Sequence, residues 1–122
     1  MKELMLYEGE YKLMDIIWDK EPVRSGELVK ICDKEFGWKK STTYTVLGKL
    51  VNKGIASNND SVVTSVVGRD RIQQIESKEL VKRSFGGSLP AFVNAFLSTG
   101  NISKSEAEEL IEMIETHIKD EK

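Results

Sequence analysis

Ser41, Thr42, Thr43 and Thr45 stand together near the front of one short segment, Gly37–Ser57, with Tyr44 among them. Four lysines, Lys39, Lys40, Lys49 and Lys53, and no acid complete its charge. Hydroxyls bond phosphate oxygens and base edges, and lysines neutralise phosphates. A helix that begins among such residues also offers its free N–H groups to an anion. Val46, Leu47 and Leu50 recur at i, i+1 and i+4 and give the segment an apolar back. Gly54 stands where a glycine ends a helix. The chemistry implied is recognition of a polyanion by a helix that lies in the major groove of duplex DNA while anchored to a core. The expected DNA-contacting set is Lys39, Lys40, Ser41, Thr42, Thr43, Tyr44, Lys49 and Lys53. Thr43, Tyr44 and Lys40 are expected at the DNA, with Ser41 and Thr42 on phosphate. An ordinary amphipathic helix with incidental lysines would read the same in isolation, so its flanks decide.

Other chemistry finds no support. The chain has one cysteine, Cys32, and one histidine, His117, too far apart in sequence to suggest a metal site. No glycine-rich phosphate loop and no nucleophile with a neighbouring base occurs, so no catalytic residue, metal or cofactor is expected. Glu108, Glu109, Glu112 and Glu115 could be proposed as paired carboxylates, but they lie opposite an apolar stripe and read as a solvated face.

The elements that would position the basic segment can be read from periodicity. A first helix is expected over about Gly9–Asp19, with Leu13, Ile16 and Ile17 inward, ended by Pro22. A second runs about Gly26–Phe36, with Ser25 as N-cap and Leu28, Ile31 and Cys32 inward. The third is the basic segment, with Ser41 as its cap. Then Ile55–Ser57, a turn at Asn58-Asn59-Asp60, and the β-branched run Ser61–Val67 read as a two-stranded hairpin. Three helices and a hairpin make a winged helix-turn-helix over residues 1–68.

Residues 69–122 turn helical again. Ile72, Ile75, Leu80 and Val81 mark a helix ending near Phe85, and Gly86-Gly87 breaks it. Ser88 caps a helix with Leu89, Phe92, Val93, Phe96 and Leu97 at i, i+3, i+4, i+7 and i+8. Ser103-x-x-Glu106 is a capping box for a last helix bearing Ala107, Leu110, Ile111, Ile114 and Ile118. These helices are too few to form a core of their own and too apolar to stand exposed. A homodimer through Phe92, Phe96, Leu97, Leu110, Ile111 and Ile114 is therefore expected. Two winged helices would then meet half-sites of an inverted repeat. The fold class expected is mostly α with a small β-wing, a winged helix-turn-helix followed by a three-helix dimerisation region.

At 122 residues, 39% hydrophobic and 31% charged with mixed sign, the chain has material for a core and does not read as disordered. The net charge of −2 speaks against a nucleic-acid binder until its distribution is considered. Residues 101–122 hold seven acids and three basic residues, leaving the basic charge to the middle of the chain. No signal-peptide order and no membrane-length apolar run occurs, so a cytoplasmic protein without a membrane partner is expected.

The same residues resemble the penicillinase-repressor family of winged-helix repressors. Glu10-Tyr11-x-Leu13-Met14-x-x-Ile17-Trp18 is similar to the family's E-W-x-V-M-x-x-L-W, and Pro22-Val23-x-x-x-Glu27-Leu28-Val29 to its P-L-T-x-x-E-I-V. Gly37-Trp38, with Thr42-x-x-Thr45-Val46-Leu47-x-Lys49-Leu50-Val51-x-Lys53-Gly54, resembles the recognition segment. Ser84-Phe85-Gly86-Gly87-Ser88 resembles its F-F-G-G-S, and Glu106-x-x-Glu109-Leu110 agrees in the last helix. The resemblance implies a homodimeric repressor on a double-stranded, inverted-repeat operator, relieved by an inactivating protease. The scissile pair aligned with the family's Asn-Phe is Ala95-Phe96, which departs at the first position. The wing region Val62–Val67 lacks the family's Y-x-Y-x-P pattern, and the tail lacks the cysteines of the copper-responsive branch. Two other readings stay open: a winged helix that binds a protein without DNA, and a purely structural dimerisation module.

Overall fold

The computed structural model describes residues 4–118. Its elements in order are α1 (Glu8–Lys20), β1 (Val23–Arg24), α2 (Ser25–Phe36), α3 (Lys40–Asn52), β2 (Ala56–Asn59), β3 (Val62–Ser65), α4 (Arg69–Phe85), α5 (Leu89–Ser98) and α6 (Lys104–His117). Three helices and a small sheet followed by three helices form the expected winged helix-turn-helix and helical region. The chain divides into two compact units, Met1–Glu79 and Leu80–Lys122. This packing boundary falls inside α4, because Ile72 joins the first unit's core, whereas the change of pattern in the sequence falls at Gly68.

The core of the first unit follows from the helical rows. Leu13, Met14 and Ile17 of α1, Leu28 and Cys32 of α2, and Leu47 and Leu50 of α3 are buried together with Ile55, Val63 and Ile72. Each large aliphatic side chain so buried contributes about 1.5–3 kcal/mol before chain entropy is subtracted. Gly37, in the left-handed region at φ 71°, ends α2 and sends its N–H to the Asp33 carbonyl at 2.9 Å. Trp38 N–H reaches the Cys32 carbonyl at 3.3 Å, closing the turn that aims α3.

The sheet has the order β1-β3-β2, all antiparallel. The expected two-stranded hairpin thus gains a third strand, Val23–Arg24, paired with Val63 and Val62. Two residues are too few to show a period of two. The turn also lies one step beyond the expected Asn58-Asn59-Asp60. Asn59 pairs with Val62, and Asp60 and Ser61 form the two-residue loop at φ 52° and 67°, a conformation that matches the strands' twist.

Two caps differ from expectation. α2 begins at Ser25 itself after Arg24, and α3 begins at Lys40 after Lys39, neither with a side-chain cap. Ser25 is turned inward and its Oγ lies 3.2 Å from the Tyr44 hydroxyl. The start of α4 is latched to α1: Trp18 Nε1–H donates to the Val67 carbonyl at 3.0 Å, and Arg69 covers the Trp18 ring. Arg69 also pairs with Asp19 at 2.9 Å and Asp15 at 3.4 Å.

In the second unit Gly86 and Gly87 take positive φ and break α4 from α5. Ser88 caps α5 by accepting from Ala91 N–H at 3.1 Å, and Ser103 caps α6 by accepting from Glu106 N–H at 3.0 Å. Phe85 and Phe92 meet edge to face at 5.5 Å. Neither α5 nor α6 contains a fully buried residue.

Candidate nucleic-acid interface

α3 has one buried row and one open row. Thr43, Leu47 and Leu50 are buried and fasten it to the core. Ser41, Thr45, Gly48 and Asn52, at i, i+4, i+7 and i+11, are exposed on the opposite side. Thr42 and Lys49 flank that row on one edge and Tyr44 on the other, all exposed. Lys39 and Lys40 are exposed at the N-terminal end. No acid lies on α3, and the first-turn N–H groups carry no side-chain cap. The outer face therefore presents hydroxyls, an amide and cations, with a glycine at its centre where a side chain added would meet nothing within 4 Å.

Two members of the expected set lie elsewhere. Thr43 is fully buried, and its Oγ1 makes no well-formed hydrogen bond. It stands in line with Leu47 and Leu50, next to the Cys32 thiol, and cannot read a base from there. Burial pushes that thiol's pKa up, with the Thr43 hydroxyl pulling slightly the other way. Lys53 is the second. Its Nζ binds Glu10 Oε1 at 2.6 Å and the Met5 carbonyl at 3.1 Å, and lies over the Tyr7 ring. Glu10, itself buried, accepts Tyr7 N–H through the same oxygen at 2.9 Å. Lys53 thus ties the end of α3 to the start of the chain and is not a free phosphate ligand.

Thr45, Gly48 and Asn52 belong to the outer face but not to the expected set. The signal was present, since they repeat at the spacing of the buried row on its other side. A hollow next to Tyr44 adds Arg24, Lys30 and Ser61 to the surroundings of α3. Ser25 N–H donates to the Ser61 carbonyl at 2.9 Å, holding the wing turn against the start of α2. The wing itself, residues 56–65, carries no Lys or Arg and one acid, Asp60.

In the second unit, the residues expected at a dimer contact are open apart from Phe92, which is half-buried against Phe85. Phe96 is 62% exposed and Ile114 60%. Ala95 and Phe96 lie in the last turns of α5. No helix among the described residues is long and apolar enough to cross a membrane.

A family model described as penicillinase repressor matches residues 7–116. The chain belongs to the penicillinase repressor family. The chain is 25% identical over 122 residues to the penicillinase repressor of Bacillus licheniformis, covering 96% of this chain and 95% of that protein. It is 26% identical over 117 residues to the penicillinase repressor of Staphylococcus aureus, covering 93% of each. The methicillin resistance regulatory protein MecI of Mammaliicoccus sciuri is 25% identical over 113 residues, 89% of this chain and 92% of that protein. The penicillinase repressor family is one of transcriptional regulators, and the match runs through both units and through α3.

Proposed function

We propose that this chain is a sequence-specific transcriptional repressor that binds an inverted-repeat operator as a homodimer. The observation that carries this reading is the acid-free outer face of α3, open along Ser41, Thr45, Gly48 and Asn52 and flanked by Lys40 and Lys49. Such a face fits the major groove, where hydroxyls and amides meet base edges and lysines meet phosphates. The revised contact set is Lys39, Lys40, Ser41, Thr42, Tyr44, Thr45, Lys49 and Asn52. Dimerisation falls to residues from about Arg69 onward, through Phe92, Phe96, Leu97, Leu110, Ile111 and Ile114. It would set two recognition helices about 34–36 Å apart, one turn of DNA. An inactivating protease acting at Ala95-Phe96 would need α5 to open first, because that bond lies within a helix.

The test is fluorescence anisotropy of the full chain on DNA from its own promoter and on scrambled DNA, at two salt concentrations. Binding that prefers the promoter and weakens with salt is expected. Absence of binding at low salt would overturn the reading. It would favour a winged helix that binds protein, for which the net charge of −2 is the supporting observation.

A further inference from the structure

α6 has two faces without a partner among the described residues. Leu110, Ile111 and Ile114 are exposed along one. Glu108, Glu112 and Glu115 follow at i, i+4 and i+7 along another. None of these carboxylates forms an ion pair among the described residues. The second half of α4 is opposite in sign. From Lys78 to Phe85 it has Lys78, Lys82 and Arg83 against the single acid Glu79. Lys78 and Lys82 are exposed, one turn apart on one flank, and are likewise outside every ion pair among the described residues.

A two-fold dimer joins a surface to its complement twice over, since residue i meets j and j meets i. Two acidic flanks brought face to face beside a drying apolar seam would repel more strongly than in water. From Lys78 onward the Lys and Arg among the described residues are Lys78, Lys82, Arg83 and Lys104, and Lys104 starts α6 itself, so the counter-charge nearest in sequence to that flank is on α4. The spacing agrees as well: Lys78 and Lys82 repeat the i, i+4 step of Glu108 and Glu112.

We propose that a second copy of this chain docks with the Lys78–Lys82 flank of α4 against the Glu108–Glu112 flank of α6, on both sides of the apolar seam. This rests on the homodimer reading above and adds the rule by which one copy selects another. The apolar seam holds the copies together, and the charges set which helix faces which.

The experiment is sedimentation equilibrium of the full chain and of two charge-reversed variants, K78E/K82E and E108K/E112K. Each variant alone should dimerise at least about tenfold more weakly than wild type, because every reversed contact occurs twice. An equimolar mixture should form heterodimers near wild-type strength, since the reversed α4 of one variant then meets the reversed α6 of the other, opposite in sign, while the two unreversed flanks still meet each other. Variants that dimerise as wild type does, or a mixture no stronger than its parts, would overturn the proposal. A salt series on the wild type is independent of any folding defect in the variants. Its dimer should weaken several-fold between about 0.05 and 0.5 M salt as screening sets in, and a dimer that holds or tightens would overturn the proposal. A wild type that is monomeric at micromolar concentration would overturn the homodimer reading itself. If K78E/K82E stays a full-strength dimer but loses DNA binding, those lysines belong to phosphate and the pairing is wrong.

Discussion

At Lys49 and Lys53, four residues apart across the end of α3, the same side chain has two different occupations. Lys49 is open to solvent, while Lys53 is held by Glu10 and the Met5 carbonyl. Lys49→Ala should weaken binding to all DNA sequences and lower the salt slope by close to one. Lys53→Ala should leave the slope unchanged and destabilise the fold. It strands a buried carboxylate whose second oxygen, Oε2, already lacks a partner. Titrations at several salt concentrations beside thermal melts would separate the two. Thr45→Ala or Asn52→Ala should relax base preference, at about 1–3 kcal/mol for a side chain that reads a base edge. Thr43→Ala should leave preference intact, which a competition assay on mutated operators would check. Cys32 is fully buried with its thiol pKa pushed up. Less thiolate is present at a given pH, so a thiol reagent near pH 8 should label it only when the chain opens or unfolds. Rapid labelling of the native protein would contradict that placement.

Among elements, the helices were legible because their apolar rows are long enough to show a period. α5 and its Ser88 cap, and α6 with Ser103, lie where pattern and cap chemistry put them. The apolar row Leu47–Leu50 likewise pointed to the buried side of α3, and extending it back by one turn reaches Thr43. Thr43 carries a hydroxyl suited to DNA, but its place in that row decides its burial. Lys53 could not have been read locally: its partner Glu10 is 43 positions away in sequence. β1 was invisible for a different reason, since two residues acquire strand geometry only by pairing with β3. The wing is the element whose chemistry departs most from a DNA clamp. Its one charged residue is Asp60, at the turn. Near a polyanion that charge is a cost, and Asp60→Asn removes it while keeping a residue that tolerates positive φ. Operator affinity should rise by a few-fold in low salt, and unchanged affinity would place the wing tip away from the DNA.

For the whole molecule, the proposed homodimer would make affinity depend on two copies acting together. Phe96→Asp or Leu110→Asp places a charge in the proposed apolar seam. Each should give monomers by sedimentation and lose operator binding, because linked half-sites gain factors of about a hundred or more over one alone. A variant that stays dimeric would move the seam elsewhere.

The tie between the ends of the first unit also has a temporal consequence. Leu6 N–H donates to Glu76 at 3.0 Å, and Lys53 reaches back to Met5. The segment just ahead of α1 is therefore made before the partners that hold it, and waits for some of the last residues of the unit before it can settle. A nascent chain stalled after Val67 would hold the whole of α3 and the wing. It would lack Arg69 over the Trp18 ring, Ile72 in the core and Glu76 at Leu6. The contacts that complete the unit around α3 form only once synthesis has passed Glu76.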